Sequence, residues 1–397
     1  MQNPASLPEP LRGNELGTFA HHSVAVRLPA IAARVPGENE LSPASVASLG
    51  KLIGEIANGV ITALPGRGPS YQGWDSYVAP HVGETWLNVP WFFAEYYFYR
   101  RLLDAVDYWD TGSDPFRAQK RLGLDQALPA ARETMAKIDA AYARGVSTDF
   151  LLLQLTDAAL WGNRIDLSLW PAERGGAAEP DEGPQQLLVD DRPAAIRSLH
   201  DRIPPIIDIV IDNAGSELVA DLMLADLLLR SDLASSLRLH AKEYPIFVSD
   251  ATPRDVAETT RHLAADSNPH LRSAGERLRI EFASGRLQVA HDPFWVSPLG
   301  WRQRPHHLNR QLGEGGLILV KGDANYRRLL DDRHWDPTTP FGDAIGSTPA
   351  PLLALRTLKS EIVSGLEPGT VESAAEQDPD WMQNGRWALA SFAPEAS

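Results

Sequence analysis

Short apolar runs that end in polar residues recur through the second half of the 397-residue chain, and they constrain its fold more than any other feature. Three of them cover residues 206–211, 244–248 and 316–320, and each leads into a segment with helical spacing of apolar residues. A fourth run, residues 352–355, leads into Arg-Thr-Leu-Lys. Nearly continuous apolar runs are typical of strands buried on both faces, and strands that alternate with helices indicate a mostly parallel sheet. We therefore predict a three-layer α/β/α domain for this half.

The first half has the apolar spacing of helices. Helices are predicted at residues 42–64, 91–108, 128–142 and 148–160. A stretch rich in Gly, Pro, Ala and acidic residues at 171–186 predicts an exposed loop or linker. We therefore predict a mainly helical N-terminal domain at residues 1–195, in which residues 1–40 are irregular, followed by the α/β/α domain at residues 196–397.

The charge of the chain restricts its partners. Its 37 basic and 52 acidic residues give a formal net charge of −15, which repels nucleic acid and anionic lipid surfaces. The lack of cysteine excludes disulfides, thiolate zinc sites and cysteine nucleophiles. The N-terminus does not have the pattern of a secretory signal, and the most apolar stretch, residues 218–229, is too short and too charged to span a bilayer. We expect a cytoplasmic protein with neither a nucleic-acid nor a membrane partner.

Oxygen-bearing side chains follow two of the predicted strands. Asp212 and Asn213 come directly after the first strand, and Asp250 follows the second. Ligands of open parallel sheets bind at the carboxyl ends of the strands, and Mg²⁺ and Mn²⁺ prefer oxygen ligands. These residues also have local alternatives. Asp212 or Ser216 can cap the following helix, and Asp250 can be a turn residue before a capping box at Thr252.

Cationic side chains follow the other two predicted strands. Residues 321–327, Lys-Gly-Asp-Ala-Asn-Tyr-Arg, place two cations, a carboxylate, an amide and a phenol after the third strand. Arg356 and Lys359 follow the fourth strand. Lys and Arg side chains suit phosphate oxygens, and the N-terminus of the next helix adds backbone donors. The alternative is a solvated polar loop, but the position at the strand ends favours a phosphate site.

Other acidic residues have both a functional and a structural interpretation. Glu95 lies among aromatic residues on a predicted helix and needs a partner, which is either Arg100 or Arg101 or a substrate hydroxyl. Glu217 and Asp221 share a helix face, where favourable charge near the helix N-terminus is preferred to a role in proton transfer. The chain contains no HExxH, Walker or GxSxG motif and no GxGxxG after a predicted strand.

Seven segments together resemble one family, the metal-dependent damage-control phosphatases (domain of unknown function 89), in the branch also named acidic residue methyltransferase-like. They occur in the order of the family: PWFFAEYYFYRRLL (90–103), LWGNRIDLSL (160–169), IDNAGSELVADLMLADLLL (211–229), FVSDAT (247–252), DPFWVSP (292–298), KGDANYRRLLDDRHWD (321–336) and LRTLK (355–359). The resemblance implies a helical N-terminal part packed on an α/β/α domain. The first 70 residues carry little of it.

The resemblance also implies the residues of the site. A divalent cation, Mn²⁺, Co²⁺, Ni²⁺ or Mg²⁺, would be bound by the catalytic residues Asp212, Asn213 and Asp250. Phosphate and sugar contacts are implied for Asp323, Asn325, Tyr326, Arg327 and Lys359, with Glu95 and Lys321 near the substrate and Arg356 in the Arg-Thr-x-Lys motif of the branch.

We therefore predict a metal-dependent phosphatase that hydrolyses phosphomonoesters of small metabolites. The resemblance suggests sugar phosphates such as fructose 1-phosphate or fructose 6-phosphate as substrates. The sequence leaves open whether water or a carboxylate such as Asp212 attacks, although a carboxylate that binds a metal is the poorer nucleophile. Two alternatives stay open: an S-adenosylmethionine-dependent protein-glutamate O-methyltransferase, and a non-catalytic protein that binds sugar phosphates. The oligomeric state is not indicated.

Overall fold

The computed structural model describes residues 7–66, 68, 71–161, 186–201 and 205–395, so most of the predicted loop at 171–186 lies outside the described residues. The strands are β1 (Gln186–Asp190), β2 (Ile206–Val210), β3 (Ser236–Ala241), β4 (Leu287–His291), β5 (Leu317–Lys321), β6 (Leu352–Thr357) and β7 (Trp387–Ala393). The helices are α1 (Phe19–His22), α2 (Leu28–Glu38), α3 (Pro43–Asn58), α4 (Tyr71–Val78), α5 (Trp91–Ala105), α6 (Tyr108–Thr111), α7 (Arg117–Ala143), α8 (Thr148–Trp161), α9 (Arg192–His200), α10 (Ser216–Arg230), α11 (Pro253–Ala264), α12 (Pro269–Ser284), α13 (His306–Gly313), α14 (Asp323–Leu329), α15 (Phe341–Ile345) and α16 (Thr370–Gln377). A π-helical turn, Ser23–Arg27, joins α1 to α2.

The strands form one sheet in the order β1-β7-β6-β5-β2-β3-β4. β4, β3, β2, β5 and β6 are parallel, β7 is antiparallel to β6, and β1 is parallel to β7. The chain runs from β2 through β3 to β4 and then returns to β5 on the other side of β2. The strand order therefore reverses between β2 and β5, which is where open α/β sheets bind ligands, beside the carboxyl ends of the strands. The predicted mostly parallel sheet is confirmed.

Apolar side chains cover both faces of the sheet because successive residues of a strand point to opposite sides. On β5, Leu317 and Leu319 belong to one apolar cluster, whereas Ile318 and Val320 belong to another. The first cluster includes α7, α8 and α10 to α12, and the second includes α2, α3, α5 and α13 to α15. The layered α/β/α architecture with a helical N-terminal region is thus confirmed.

The division of the chain into two domains at residue 195 stays a prediction. Helices from the first half contribute to the apolar clusters on both faces of the sheet. β1, which precedes residue 195, is itself an edge strand of that sheet. The first half therefore supplies parts of all the layers.

The second predicted strand is wrong. Residues 244–248 form a buried loop, and the strand that follows β2 along the chain is β3, which pairs with β2. The sequence of β3, Ser-Leu-Arg-Leu-His-Ala, alternates polar and apolar residues, and Arg238 and His240 are buried because both pair with Asp208 on β2. Because residues 244–248 are a continuous apolar run and β3 is not, the apolar pattern predicts a strand at the loop and misses β3. The other three predicted strands are confirmed as β2, β5 and β6.

The irregular structure expected for residues 1–40 is wrong between Phe19 and Glu38, where α1, the π-helical turn and α2 follow one another. The apolar spacing of α2 is that of one helix face, and this face is buried in the core. The four helices predicted in the first half are confirmed as α3, α5, α7 and α8, although α7 begins earlier, at Arg117. Among the described residues, no helix combines the length and the apolar character that crossing a membrane requires.

Candidate active site

The turn after β2 places Asp212 beside Asp250. Asn213 and Asp250 form an isolated β-bridge. The backbone N–H of Ala251 donates a hydrogen bond of 2.7 Å to the carbonyl oxygen of Asp212. Asp250 thus reaches the end of β2 through a hydrogen-bonded loop and not through a strand of its own.

Gly322, directly after β5, brings that strand close to the same turn. Its φ is +85°, and a Cβ atom added to it would lie 1.8 Å from Asp212 Oδ2. Glycine alone combines this backbone conformation with so close an approach. The ends of β2 and β5 therefore meet around the carboxyl group of Asp212.

Asp212 and Asp250 are buried carboxyl groups with unsatisfied oxygens. Asp212 is 4% exposed and Asp250 is 2% exposed, and neither Asp212 Oδ1 nor Asp250 Oδ2 has a hydrogen-bond partner among the described residues. Burial raises the pKa of both groups, to about 6 for Asp250, and the charges of Glu217 and Asp250 raise the pKa of Asp212 further. Buried carboxyl groups of this kind either hold a proton or, when ionised, are stabilised by a nearby cation.

Asn213 links this pair to α10. Its Nδ2 donates to Asp212 Oδ2 at 2.8 Å and to Glu217 Oε1 at 2.9 Å, and its Oδ1 accepts a hydrogen bond from the Ser249 hydroxyl. No three His, Asp or Glu side chains of the described residues form a ready group of metal ligands. The predicted set therefore depends on the amide oxygen of Asn213 as its third donor. Such an all-oxygen set fits a hard divalent cation.

Lys321 is bound to carboxylates of α10. Its Nζ donates to Asp221 Oδ1 at 2.7 Å and lies 3.8 Å from Glu217 Oε2. Burial alone would lower the pKa of Lys321, but these two carboxylates raise it above the ordinary value, so the ammonium group stays charged. Glu217 and Asp221, for which the sequence favoured a simple helix-end role, thus form a buried charge network with Lys321.

Asp323 is fixed by the segment after β6. Arg356 Nε donates to Asp323 Oδ1 at 2.8 Å, and the Ser360 hydroxyl donates to the same oxygen at 3.0 Å. Burial would raise the pKa of Asp323, but Arg356 and Arg327 lower it below the ordinary value. Arg356 is fully buried and also donates to the carbonyl oxygens of Ser360 and Ile362, so it organises this segment.

Asn325 links the ends of neighbouring strands, and Tyr326 packs beside it. Asn325 Nδ2 donates to the Lys321 carbonyl at 2.8 Å, and its Oδ1 accepts a hydrogen bond of 2.9 Å from Lys242 Nζ. Tyr326 stacks on Phe341, with ring centroids 5.9 Å apart. Both residues are 1% exposed, and the structure assigns them supporting contacts.

Glu95 is the centre of a second buried network. It accepts hydrogen bonds from the Ser23 hydroxyl at 2.8 Å and from Arg327 Nη1. Arg327 also makes a two-point ion pair with Asp332, at 2.7 and 3.0 Å. The sequence offered Arg100 or Arg101 as structural partners of Glu95, but the described partners are Ser23, Arg27 and Arg327.

A cavity of about 80 Å³ lies among the residues described above. Six of the predicted site residues line it, and they come from the ends of β2, β5 and β6 and from the loop after β3. The other five do not line it: Glu95 and Arg356 contact the lining residues Arg327 and Asp323, whereas Lys321, Asn325 and Tyr326 contact residues farther from the cavity. The lining comprises Phe19, Arg27, Tyr99, Asp212, Asn213, Phe247, Val248, Ser249, Asp250, Asp323, Ala324, Arg327 and Lys359.

Lys359 is half-buried and makes no hydrogen bond or ion pair with another described side chain. Its charge nevertheless lowers the pKa of Asp212 and of Glu217, against the effect of burial, so it lies within electrostatic reach of both. If the carboxyl groups bind a metal cation, the ammonium group of Lys359 can contact the same anion that the metal cation contacts.

Sequence reasoning missed three residues of this region. Lys242, whose Nζ lies 3.6 Å from Asp250 Oδ2, follows the strand β3 that was not predicted. Phe19 and Arg27 lie in the segment that was expected to be irregular. The helical spacing of buried apolar residues in α2 was the available signal for that segment.

Comparisons with known proteins agree over most of the chain. A family model described as the damage-control phosphatase ARMT1-like domain matches residues 23–374. The protein named damage-control phosphatase ARMT1 from Danio rerio is 31% identical over 97% of this chain and 97% of its own length. Its namesake from Mus musculus is 30% identical over 98% and 99%, respectively. A crystal structure of a DUF89 family protein from Pyrococcus horikoshii is 16% identical and covers 94% of this chain and 98% of that chain, with a TM-score of 0.48.

Proposed function

Because the chain belongs to the ARMT1-like damage-control phosphatase family, we propose that it hydrolyses phosphomonoesters of small metabolites with a divalent cation held by Asp212, Asn213 and Asp250. The observation that carries the proposal is a pair of buried carboxyl groups, each with an oxygen that accepts no hydrogen bond from a described residue, in the same cavity as Lys359. Two such carboxyl groups favour a divalent cation, and a phosphate ester supplies the negative charge that the cation and Lys359 attract.

The proposed ligands of the cation are Asp212 Oδ1 and Asp250 Oδ2, which accept no hydrogen bond from a described residue, and Asn213 Oδ1. When bound, the cation supplies Lewis acidity that withdraws charge from a phosphoryl oxygen. Mn²⁺, Co²⁺, Ni²⁺ and Mg²⁺ are the candidates, because all four accept oxygen ligands.

Lys359 and Arg327 are proposed to offset charge on the phosphoryl group. Both line the cavity, and Arg327 is held in place by Glu95 and Asp332. Positive groups that are fixed before the reaction stabilise the charge of a transition state at little reorganisation cost. We propose water as the attacking group, because Asp212 and Asp250 are assigned to the cation and are poorer nucleophiles when they bind it.

Sugar phosphates are the proposed substrates. Asp323 lines the cavity with a lowered pKa, so it is ionised and can accept hydrogen bonds from sugar hydroxyl groups. Phe19 and Tyr99 add aromatic residues to the wall. Fructose 1-phosphate and fructose 6-phosphate are the proposed examples of such substrates.

Phosphate release from a panel of phosphorylated metabolites, crossed with the four cations after treatment with a chelator, tests this proposal. We expect turnover of sugar phosphates that requires added cation. Asp212→Asn should lower kcat/KM by roughly 100-fold or more, because a cation ligand is lost. Asp226→Asn is the matched control, since Asp226 is a buried carboxylate that pairs with Arg277 away from the cavity. Full cation-dependent turnover by Asp212→Asn would contradict the assigned site.

The comparisons do not favour the methyltransferase alternative. Calorimetric titration with S-adenosylmethionine separates the two activities. Saturable binding of that compound, together with no phosphate release from any ester in the panel, would overturn the phosphatase proposal. The lack of nucleic-acid and membrane partners stays a prediction from the charge and apolar pattern of the chain, and the cytoplasmic location stays a prediction from the lack of cysteine and of a secretory-signal pattern.

A further inference from the structure

Lys242 is a buried cation that directly follows β3. The residue is fully buried, and it does not line the cavity that Asp212 and Asp250 line. Its backbone N–H donates to the Ala251 carbonyl at 2.9 Å, and the Ala251 N–H donates to the Asp212 carbonyl at 2.7 Å. Two backbone hydrogen bonds thus tie Lys242 to the turn after β2, beside the proposed cation site.

The ammonium group of Lys242 has an amide and a carboxylate as neighbours. Its Nζ donates to Asn325 Oδ1 at 2.9 Å and lies 3.6 Å from Asp250 Oδ2. Among the described residues, Asp250 is the one carboxylate within 4 Å of this nitrogen. A buried ammonium group needs a counter-charge. For Lys242 that counter-charge is one of the proposed ligands of the cation.

Lys120 is a second buried lysine near Asp250, but its charge is balanced elsewhere. Its Nζ lies 2.9 Å from Asp114 Oδ2 and 3.0 Å from Asp255 Oδ2, and neither carboxylate lines the cavity. Burial raises the pKa of Asp250, and the charges of Lys242 and Lys120 lower it, with the larger effect from Lys242. Lys242 is therefore the cation that most directly balances Asp250.

We infer that Lys242 is a positioning residue that acts as a built-in counter-ion of Asp250 and weakens the binding of the divalent cation. The inference rests on the proposed function and adds a residue that sets the cation affinity of its site. In the cation-free protein, the contact with Lys242 holds the Asp250 carboxylate in place. Because Lys242 is fully buried and bound to Asn325, its ammonium group stays near Asp250 when a cation binds there. Like charges at a buried site repel each other strongly.

The test uses the full-length chain after treatment with a chelator. The measurements are calorimetric titration with Mn²⁺ at pH 8, above the Asp250 pKa of about 6, and urea denaturation with and without Mn²⁺. Lys242→Met keeps the apolar stem and removes the charge. Asn325→Ala keeps the charge and removes the acceptor that competes with Asp250 for Lys242 Nζ. Arg277→Met is the control, because it removes a partner of the buried Asp226, away from the cavity.

We expect Lys242→Met to bind Mn²⁺ roughly tenfold more tightly than the wild type, because the repulsion is lost. Without Mn²⁺ this variant should unfold at a lower urea concentration, and saturating Mn²⁺ should raise its midpoint more than that of the wild type. Asn325→Ala should bind Mn²⁺ roughly threefold or more weakly, because Lys242 then pairs more closely with Asp250. Arg277→Met should lose stability while its Mn²⁺ affinity stays within about twofold of the wild type.

The opposite shifts in the two variants separate a counter-ion from a residue that only supports the fold, since loss of such support weakens Mn²⁺ binding in both. Folded Lys242→Met that binds Mn²⁺ no more tightly than the wild type would overturn the inference. If Lys242→Met does not fold, Asn325→Ala decides, and unchanged or tighter Mn²⁺ binding by that variant would overturn the inference. A wild type that binds no Mn²⁺ would overturn the proposed cation site and the inference together.

Discussion

Gly322 is the residue at which the backbone most directly limits the candidate site. Its φ of +85° and ψ of 172° lie in a region that residues with a side chain avoid, and an added Cβ would overlap Asp212 Oδ2. We expect Gly322→Ala to displace the Asp212 carboxyl group and to lower kcat/KM and cation affinity together by roughly 100-fold. Steady-state kinetics and calorimetric cation titration measure the two effects.

Gly369→Ala is the control for Gly322→Ala. Gly369 has a similar φ of +84°, but nothing lies within 4 Å of an added Cβ. This variant should lose stability without losing cation affinity, because its strain is local to the start of α16. Equal cation affinities in the two variants would show that contact with Asp212 is not what Gly322 provides.

Individual site residues could be predicted from the sequence only where they follow a strand that the sequence predicts. Asp212, Asp323 and Lys359 follow strands that the apolar pattern reveals, and all three line the cavity. The partners of Glu95 could not be predicted, because Ser23 and Arg327 lie 72 and 232 residues away along the chain. Which polar residue faces the cavity and which supports another depends on such distant contacts.

At the scale of an element, β3 shows why a strand with buried charges is hard to predict. Its Arg238 makes a two-point ion pair with Asp208 of β2, at 2.8 and 2.9 Å, and His240 lies 2.7 Å from the same carboxylate. The charges become tolerable in the interior only when β2 and β3 are paired in this register. The alternating sequence of β3 alone predicts a half-exposed strand, whereas the continuous apolar sequence of the loop after it predicts a buried strand.

Arg238→Met tests the energetic role of this pairing. The variant leaves Asp208, which is fully buried, with one partner fewer, and we expect a loss of about 3 kcal/mol in the free energy of unfolding. Urea denaturation measures the loss. Arg286→Met is the control, because the Arg286 side chain is 38% exposed and its ion pairs lie at the surface. A loss no larger than that of the control would show that the buried pair contributes little.

At the scale of the whole molecule, the layers were predictable and the contribution of each half of the chain was not. Apolar runs and helical spacing indicate a sheet between helices, whatever the order in which they pack. Periodicity cannot show that α5 joins the cluster on one face of the sheet while α7 and α8 join the other. Nor does it show that α1 and the π-helical turn reach a cavity formed by strands of the second half.

The cavity also affects the stability of the whole molecule. Burial raises the pKa of Asp212, Glu217, Asp221 and Asp250, so each carboxyl group binds its proton more tightly in the folded chain than in the unfolded chain. Between the ordinary pKa of about 4 and the raised values, the folded state holds more protons, and its stability falls as the pH rises. Groups with a lowered pKa, such as Asp255, change stability in the opposite sense and only in more acidic solution.

Asp250→Asn isolates one part of this effect. The rise of the Asp250 pKa from 3.8 to about 6 corresponds to roughly 3 kcal/mol, which the ionised carboxylate costs the cation-free protein at neutral pH. With a chelator present, we expect the variant to match the wild type near pH 4 and to exceed its stability at pH 7, as measured by urea denaturation at several pH values. Asp255→Asn, which weakens the ion pair with Lys120, should instead be less stable than the wild type at pH 7.

Added Mn²⁺ should stabilise the wild type and leave Asp250→Asn nearly unchanged, because the carboxylate that destabilises the cation-free fold is the one proposed to bind the cation. A stability difference between Asp250→Asn and the wild type that stays constant from pH 4 to pH 7 would mean that the Asp250 carboxyl group does not titrate in this range.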